Sequence, residues 1–241
     1  MKNLIILCAS AALLTACASN PYVPTVFNPD QQKVETLAVV DVDMPEKLGA
    51  NELTSHVGTA QAAGGLLGVL VAGAMEAAET SNRKGSLDEK MAGIDIDYEA
   101  EFEAMLMKKI AAKGYKDVSI TLAERKKDKL LNIEKTADAY LDIDVQSFGL
   151  QKAKTGTEWR PAMGTKVRLL SSNDQSLLME NYISYNSGVI SELRGGHITV
   201  EPDTSSTGFM KIKDVEPDIV NKDIMAMMDE VTTIIASLID A

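Results

Sequence analysis

The first seventeen residues constrain this chain more than any other feature, because they define a segment that does not belong to the folded body. Lys2 supplies a short basic start, and an uncharged, mostly apolar stretch runs from Leu4 to Leu14. That stretch is too short to span a bilayer stably and has the length of a signal-peptide core. Small residues and Cys17 follow it. We therefore predict that residues 1–16 are a cleaved signal peptide.

The sequence Leu14-Thr15-Ala16-Cys17 resembles the lipobox of bacterial lipoproteins, in which the cysteine is acylated. The resemblance implies that Cys17 begins the mature chain and carries acyl chains on its sulfur and its amino group. It also implies an outer-membrane location facing the periplasm, because Ala18 replaces the Asp that tends to retain such proteins in the inner membrane. One acyl chain anchors only marginally, whereas several anchor firmly. The alternative is an ordinary secretory signal in which Cys17 is incidental.

Residues 17–35 form the second predicted unit, a lipidated cysteine followed by a proline-containing tether. Prolines at this spacing disfavour helix and favour extended chain. Eighteen extended residues, at about 3.1 Å each, would reach roughly 55 Å and lift a domain off a lipid surface. A strand-like arm packed on the domain explains the pattern equally well, because several residues of the unit are apolar or aromatic. These are Tyr22, Val23, Val26 and Phe27.

Composition argues against several classes of function. Of 241 residues, 24 are basic and 35 are acidic, for a net charge of −11, which does not favour nucleic-acid binding. Two cysteines and two histidines do not provide a disulfide scaffold, a multi-cysteine zinc site or a histidine-rich metal centre. No nucleophile elbow, phosphate loop or dinucleotide fingerprint occurs. We expect a protein that is not an enzyme, with no cofactor, metal or small-molecule substrate. A hydrolase with an unrecognised site is the least favoured alternative.

Three Asp-x-Asp pairs are the candidates for binding a divalent cation, since paired carboxylates are oxygen ligands. The same spacing arises on the outward face of a half-buried strand and at a helix cap. We prefer that structural interpretation, because none of the three has the spacing of a calcium loop. The pairs are Asp41/Asp43, Asp95/Asp97 and Asp142/Asp144.

Hydrophobic periodicity predicts a periplasmic α+β domain over residues 36–241. The sheet would be mixed or antiparallel, with about five strands and with helices packed on one face. Predicted strands cover residues 37–43, 118–122, 140–150, 164–170 and 177–184. Residues 186–214 are predicted to be a long loop with a short strand at 197–200. Predicted helices begin at an Asp97 cap and near Pro217. Their predicted apolar stripes are Phe102, Met105, Leu106 and Ile110 in the first helix, and Val220, Ile224, Met227, Val231, Ile234 and Leu238 in the second. In the strand at 140–150, Leu141, Ile143 and Val145 should face inward, and Asp142, Asp144 and Gln146 outward.

This order of elements resembles the periplasmic domain shared by several accessory lipoproteins, including the curli-secretion channel lipoprotein and the N-terminal domain of TolB. The resemblance covers residues 36–240 as an order of elements only, so it implies a fold and an accessory role and transfers no functional residue. The glycine-rich segment after the first strand also resembles that of uncharacterised proteobacterial lipoproteins.

Residues 57–78 contain a glycine-rich, apolar segment that we predict to be helical. Gly64, Gly68 and Ala72 recur every four residues, which places them on one helical face where another backbone can approach closely. A helix packed on the domain or in an oligomer interface is the preferred interpretation. A helix inserted into the membrane and a flexible loop are the alternatives.

Two polar clusters remain. Trp159-Arg160 is the most distinctive candidate surface cluster: structural packing is the preferred interpretation, and contact with a partner is the alternative. The charge run at residues 124–129 could bind anionic headgroups, but a solvated turn or helix start explains it better because Glu124 and Asp128 interrupt the basic residues.

These features together predict a lipid-anchored periplasmic envelope protein. We expect a non-enzymatic accessory or scaffold of an envelope assembly or of a secretion or transport complex. Its partners would be the outer-membrane lipid, through acylated Cys17, and either another protein or further copies of itself. The alternative is an oligomeric pore-forming or membrane-remodelling lipoprotein that inserts residues 57–78 into the outer membrane.

Overall fold

A computed structural model describes residues 22–30, 32–52, 86–126, 129–152, 158–186, 196–201 and 208–240. The helices are α1 (Tyr98–Ala111) and α2 (Pro217–Leu238), with a short helical segment at 86–91 and a 3-10 turn at Ile212–Asp214. The strands are β1 (Thr36–Val40), β2 (Gly49–Glu52), β3 (Asp117–Thr121), β4 (Glu124–Lys126), β5 (Lys129–Leu131), β6 (Ala139–Lys152), β7 (Trp159–Ser171), β8 (Leu177–Tyr185) and β9 (Ile198–Val200). The predicted α+β class is confirmed.

In the described residues the sheet is mixed and has seven strands: six lie in the order β3-β1-β6-β7-β8-β9, and β2 pairs with β6 off this path. Strand β1 runs parallel to both β3 and β6, and β2 pairs with the far end of β6. The long strands β6, β7 and β8 are antiparallel, and β9 pairs in parallel with β8. Strands β3 and β9 therefore stand at opposite edges. The sequence predicted fewer strands because β2, with the sequence GANE, lacks apolar alternation.

The length of β6 allows it to pair with β1 and β2 in succession along one edge. A register shift between Val145 and Ser147 interrupts its pairing with β7, after which Phe148 faces the main core. Gly149 has a φ of +143°, and a Cβ there would lie 2.2 Å from the carbonyl oxygen of Gly49. Only glycine allows β2 to approach β6 at this point.

Both helices pack on one face of the sheet, as predicted. Asp97 caps α1, because its Oδ1 accepts a hydrogen bond from the Ala100 amide at 3.0 Å. Of the expected stripe of α1, Phe102, Leu106 and Ile110 are buried, and Met105 is partly buried.

Helix α2 differs from prediction near its C-terminus. The expected Val220, Ile224, Met227 and Val231 are buried, but Ile234 and Leu238 are only partly buried, and Ile235 is fully buried. A step of three residues from Val231 leads to Ile234 and a step of four leads to Ile235. The core buries Ile235, so continuing the apolar stripe through Ile234 was wrong by one residue.

The opposite face of the sheet carries a second, smaller apolar cluster of Ala38, Val40, Leu130, Tyr140 and Leu170. The antiparallel hairpin β4–β5 contributes Leu130 to this cluster. Of residues 124–129 the structure describes 124–126 and 129, which are strand, so the predicted helix start is wrong. Glu124, Lys126 and Lys129 are exposed, as expected for a solvated segment.

Several predictions lie outside the described residues. They include the signal peptide, the acylation of Cys17 and the helix face formed by Gly64, Gly68 and Ala72, all of which stay predictions. Among the helices that the structure describes, none is long and apolar enough to cross a bilayer.

Candidate functional site

The N-terminal arm, residues 22–30, lies against the outer edge of the sheet. Thr25 and Glu180 form an isolated antiparallel bridge, in which each amide donates to the other residue's carbonyl oxygen at 3.0 Å. Because β7 occupies the other side of β8, the arm lies on the same side of β8 as β9. Phe27 and Val34 then enter the main core. From Tyr22 onward the described part of the segment is thus a packed arm, the second of the two interpretations of residues 17–35, and residues 17–21 lie outside the described residues.

Tyr22 holds the beginning of the arm. Its hydroxyl donates to the carbonyl oxygen of Glu180 at 3.0 Å, and its ring meets the Tyr182 ring edge-on, with centroids 5.0 Å apart and an interplanar angle of 87°. Burial raises the pKa of Tyr22 to about 12, and the nearby Glu180 and Tyr182 contribute in the same direction. The neutral phenol is therefore the form that the docked arm favours.

A glycine on the chain leading into β9 makes this contact possible. Gly196 has a φ of +81°, and a Cβ added there would lie 2.1 Å from the carbonyl oxygen of Tyr22. Any larger residue would collide with the arm backbone. The sequence around Gly195-Gly196 predicted a loop, and the structure shows why one of these glycines is required.

A charged pair lies beside the arm. Lys166 Nζ is 3.1 Å from Glu180 Oε2 and 5.6 Å from the centroid of the Tyr182 ring. Burial alone would lower the pKa of Lys166, but the hydrogen bond and the charge of Glu180 outweigh it and raise that pKa above its usual value. The Lys166 ammonium therefore stays charged at neutral pH, and its ion pair with Glu180 offsets that charge.

A buried carboxylate is the main polar feature of the face that β4–β5 covers. Asp142 is 1% exposed. Its Oδ1 accepts from Arg125 Nε at 2.8 Å, and its Oδ2 accepts from Arg168 Nε at 3.0 Å and from Arg168 Nη2 at 2.5 Å. Arg125 also donates to the carbonyl oxygen of Asp41. The prediction that Asp142 faces solvent is wrong, because two guanidiniums replace water around it.

The hairpin has a second attachment through the turn between β7 and β8. The Gln175 side chain accepts from the Leu130 amide at 3.0 Å and donates to the Leu130 carbonyl at 2.8 Å. It therefore satisfies both backbone groups of one residue, as a neighbouring strand would. Gln175 adopts a φ of +58°, which is uncommon for a residue with a side chain.

Acidic residues gather where β1 ends and α1 begins. Burial raises the pKa of Glu99, and the charges of Asp41, Glu103, Asp97 and Asp43 add to that increase. Three members of the predicted Asp-x-Asp pairs, Asp41, Asp43 and Asp97, are therefore close to the Glu99 carboxylate. In the part of the chain that the structure describes, no group of three or more metal-binding side chains is arranged to hold an ion.

The cluster at Trp159-Arg160 is only partly at the surface. Trp159 is 4% exposed and belongs to the main core, and its backbone pairs with Phe209. The structure therefore shows the preferred interpretation, structural packing, for Trp159, because the segment that contains Phe209 covers the start of β7. Arg160 is half-buried and pairs with Glu158 Oε2 at 2.8 Å. Contact between Arg160 and a partner stays a prediction.

Two clefts open on the surface of the described residues. One, of about 280 Å³, lies between the loop at Leu48 and the segment from Met91 to Tyr98. The other, of about 700 Å³, lies between the end of the arm and Lys116 and is lined by Phe27, Val34 and the ion-paired Lys33 and Glu35. Neither cleft contains a residue that the sequence marked as a candidate.

The docked arm and the Asp142 network were not predicted as sites. The signals were present but weak: an aspartate inside an otherwise buried strand, and a tyrosine next to prolines. Both sites depend on residues far apart in the chain, so no local pattern joins them.

Comparison with known proteins gives a distant likeness in fold. No family model matches the sequence, and no curated protein matches it. A DUF330 protein from Xanthomonas campestris is 12% identical, with 91% of this chain and 94% of that chain covered, at a TM-score of 0.44. PelC from Paraburkholderia phytofirmans, a dodecamer, is 11% identical, with 92% and 96% covered, at a TM-score of 0.38.

A third similar structure is lipoprotein GNA1162 from Neisseria meningitidis, which is 14% identical, with 62% of this chain and 78% of that chain covered, at a TM-score of 0.19. At these identities and TM-scores no residue role is transferred. The finer resemblance to TolB and the curli-secretion lipoprotein stays a prediction.

Proposed function

We propose that this protein is a lipid-anchored periplasmic envelope protein that acts as a non-enzymatic accessory or scaffold in an envelope assembly. The anchor is acylated Cys17 in the outer membrane. The observation that carries the proposal is the docking of the arm only five residues after that cysteine, through the hydrogen bond from the Tyr22 hydroxyl to the carbonyl oxygen of Glu180.

The docked arm changes what the anchor can do. Five residues from Cys17 to Tyr22, at about 3.3–3.6 Å each, reach at most about 18 Å, instead of the roughly 55 Å of a free tether. The domain is then held at the leaflet and cannot range across the periplasm. A fixed position close to the membrane suits a component of an assembly, because partners meet it in one orientation.

The first experiment tests the anchor. Radioactive palmitate labelling in a host that processes lipoproteins should label the wild-type chain and the Cys8→Ser variant, because Cys8 belongs to the predicted signal peptide. The Cys17→Ser variant should not be labelled. Equal labelling of Cys17→Ser and wild type would contradict the proposal.

The second experiment tests the accessory role. Cross-linking in intact cells, followed by capture of the lipidated protein, should give a defined adduct with another envelope protein or with further copies of the chain. The adduct should diminish in Cys17→Ser, which lacks the anchor but keeps the folded domain. Recovery of monomer alone from wild-type cells would contradict a scaffold.

A further inference from the structure

We propose that the outer edge of the sheet, where the arm lies beside β9, is the surface that this domain lays on the lipid leaflet. We call it the arm edge and define it by the exposed residues Val23, Val26 and Thr199. The inference rests on the proposed lipid anchor, and it adds an orientation that the anchor alone does not fix.

The length of chain before the arm selects the leaflet as the occupant. An anchor at Cys17 leaves five residues before Tyr22, so the start of the arm lies within about 18 Å of the acylated residue. Tyr22 is bound to Glu180 and Tyr182 of β8. The arm edge is therefore fastened near the membrane by the same contacts that fasten the arm to the sheet.

Apolar exposure on the arm fits this occupant. Val23 and Val26 are each 76% exposed, although both lie next to residues that pack on the sheet. Valine side chains left in water gain by moving to the boundary between headgroups and acyl chains. A flexible tether would let these side chains move away from the sheet, whereas the docked arm holds them at its edge.

The acidic cluster around Glu99 lies away from the arm edge. The pair between Lys166 and Glu180 beside the arm offsets its own charge. The acidic residues around Glu99 lie at the end of β1, which is three strands away from β8 in the sheet. At about 4.8 Å per strand, that separation is roughly 14 Å, more than a Debye length at physiological salt. Their repulsion of an anionic leaflet is therefore screened when the arm edge faces the lipid.

The opposite edge provides a matched control. Leu122 follows β3 and is 74% exposed, so it resembles Val23 in chemistry and exposure. Strands β3 and β9 are separated by five strand spacings, or roughly 24 Å. A probe at Leu122 should therefore remain in water when the arm edge contacts lipid.

The test is fluorescence quenching on the full lipidated protein in vesicles of phosphatidylethanolamine and phosphatidylglycerol. The mature chain would have no cysteine besides acylated Cys17, so Val23→Cys, Thr199→Cys and Leu122→Cys each accept one environment-sensitive dye. Thr199 is the decisive position, because Val23 stays near Cys17 whether or not the arm is docked. Lipids that carry a nitroxide near the headgroup should quench the dye at positions 23 and 199 at least about twofold more than at 122.

Flotation of the same samples separates the two proposals. If the protein floats with the vesicles but positions 199 and 122 are quenched equally, the orientation is overturned and the anchor is kept. If the protein does not float, the anchor fails and the orientation fails with it. Adding Gly196→Ala, which places a Cβ against the arm, should reduce quenching at position 199 and leave flotation unchanged.

Discussion

Arg168 donates two hydrogen bonds to a single oxygen of Asp142, from Nε at 3.0 Å and from Nη2 at 2.5 Å. The two residues face each other across β6 and β7 in register. Arg125, from the hairpin β4–β5, binds the other oxygen of the same carboxylate. The buried Asp142 carboxylate therefore joins the sheet to the hairpin β4–β5 that covers it.

Removing the charge of Asp142 should destabilise the fold strongly. Asp142→Asn leaves Arg125 and Arg168 facing a neutral amide away from water, and we expect the free energy of unfolding to fall by about 3–5 kcal/mol. Urea denaturation followed by circular dichroism measures this loss. The control is Asp144→Asn on the same strand, whose half-exposed carboxylate should cost less than about 1 kcal/mol. Similar losses in the two variants would show that the network is not a main source of stability.

Gln175 should hold the hairpin to the body of the protein. Gln175→Ala removes both hydrogen bonds to Leu130, so we expect a loss of about 1–2 kcal/mol and faster hydrogen exchange in β4 and β5. Gln175→Gly relieves the positive φ but also loses the bonds, so exchange in the hairpin should be equally fast. Gln146→Ala, at an exposed position of β6, is the control. Hairpin exchange that stays as slow as in wild type would refute the attachment.

Gly196→Ala should release the arm. The added Cβ would meet the carbonyl oxygen of Tyr22, and the Glu180 amide, which donates to Thr25, should exchange faster with solvent. The matched control is Gly114→Ala: Gly114 has a similar φ of +88°, but a Cβ there has nothing within 4 Å. Both variants carry the same backbone strain, so only the collision differs. Exchange at Glu180 that rises equally in both would mean that strain, and not the arm contact, is responsible.

The acidic cluster should make stability depend on pH through Glu99. The pKa of Glu99 is raised in the folded protein, so the folded state binds its proton more tightly than the unfolded chain does. The destabilisation caused by the charged Glu99 is therefore fully present at neutral pH. It disappears as the pH falls through the raised pKa of the folded state to below the ordinary pKa of glutamate. Glu99→Gln should be more stable than wild type at pH 7, by on the order of 0.5 kcal/mol.

Chemical denaturation of wild type and Glu99→Gln across the acidic range tests this sign. The stability difference should shrink towards zero with falling pH. A control is Glu101→Gln, at an exposed position of the same first helical turn. A difference between Glu99→Gln and wild type that grows on acidification would contradict the prediction.

The sequence by itself determined the elements whose pattern is local. The alternation in β6, the apolar spacing of α1 and the cap at Asp97 each occupy one continuous segment, so the residues that reveal the element are the residues that form it. The predicted signal peptide is of the same kind, because it is defined by the order of charge, apolar core and small residues. The α+β class followed from the order of these elements.

The tertiary structure alone decided which side chains are buried on the second face of the sheet and where the arm lies. Asp142 is 17 residues from Arg125 and 26 residues from Arg168, and Tyr22 is 158 residues from Glu180. An aspartate in a strand has the same alternation whether water or guanidinium surrounds it. The physical reason is that the cost of burying a charge or of ordering an arm is repaid by partners that only the folded chain brings within hydrogen-bonding distance.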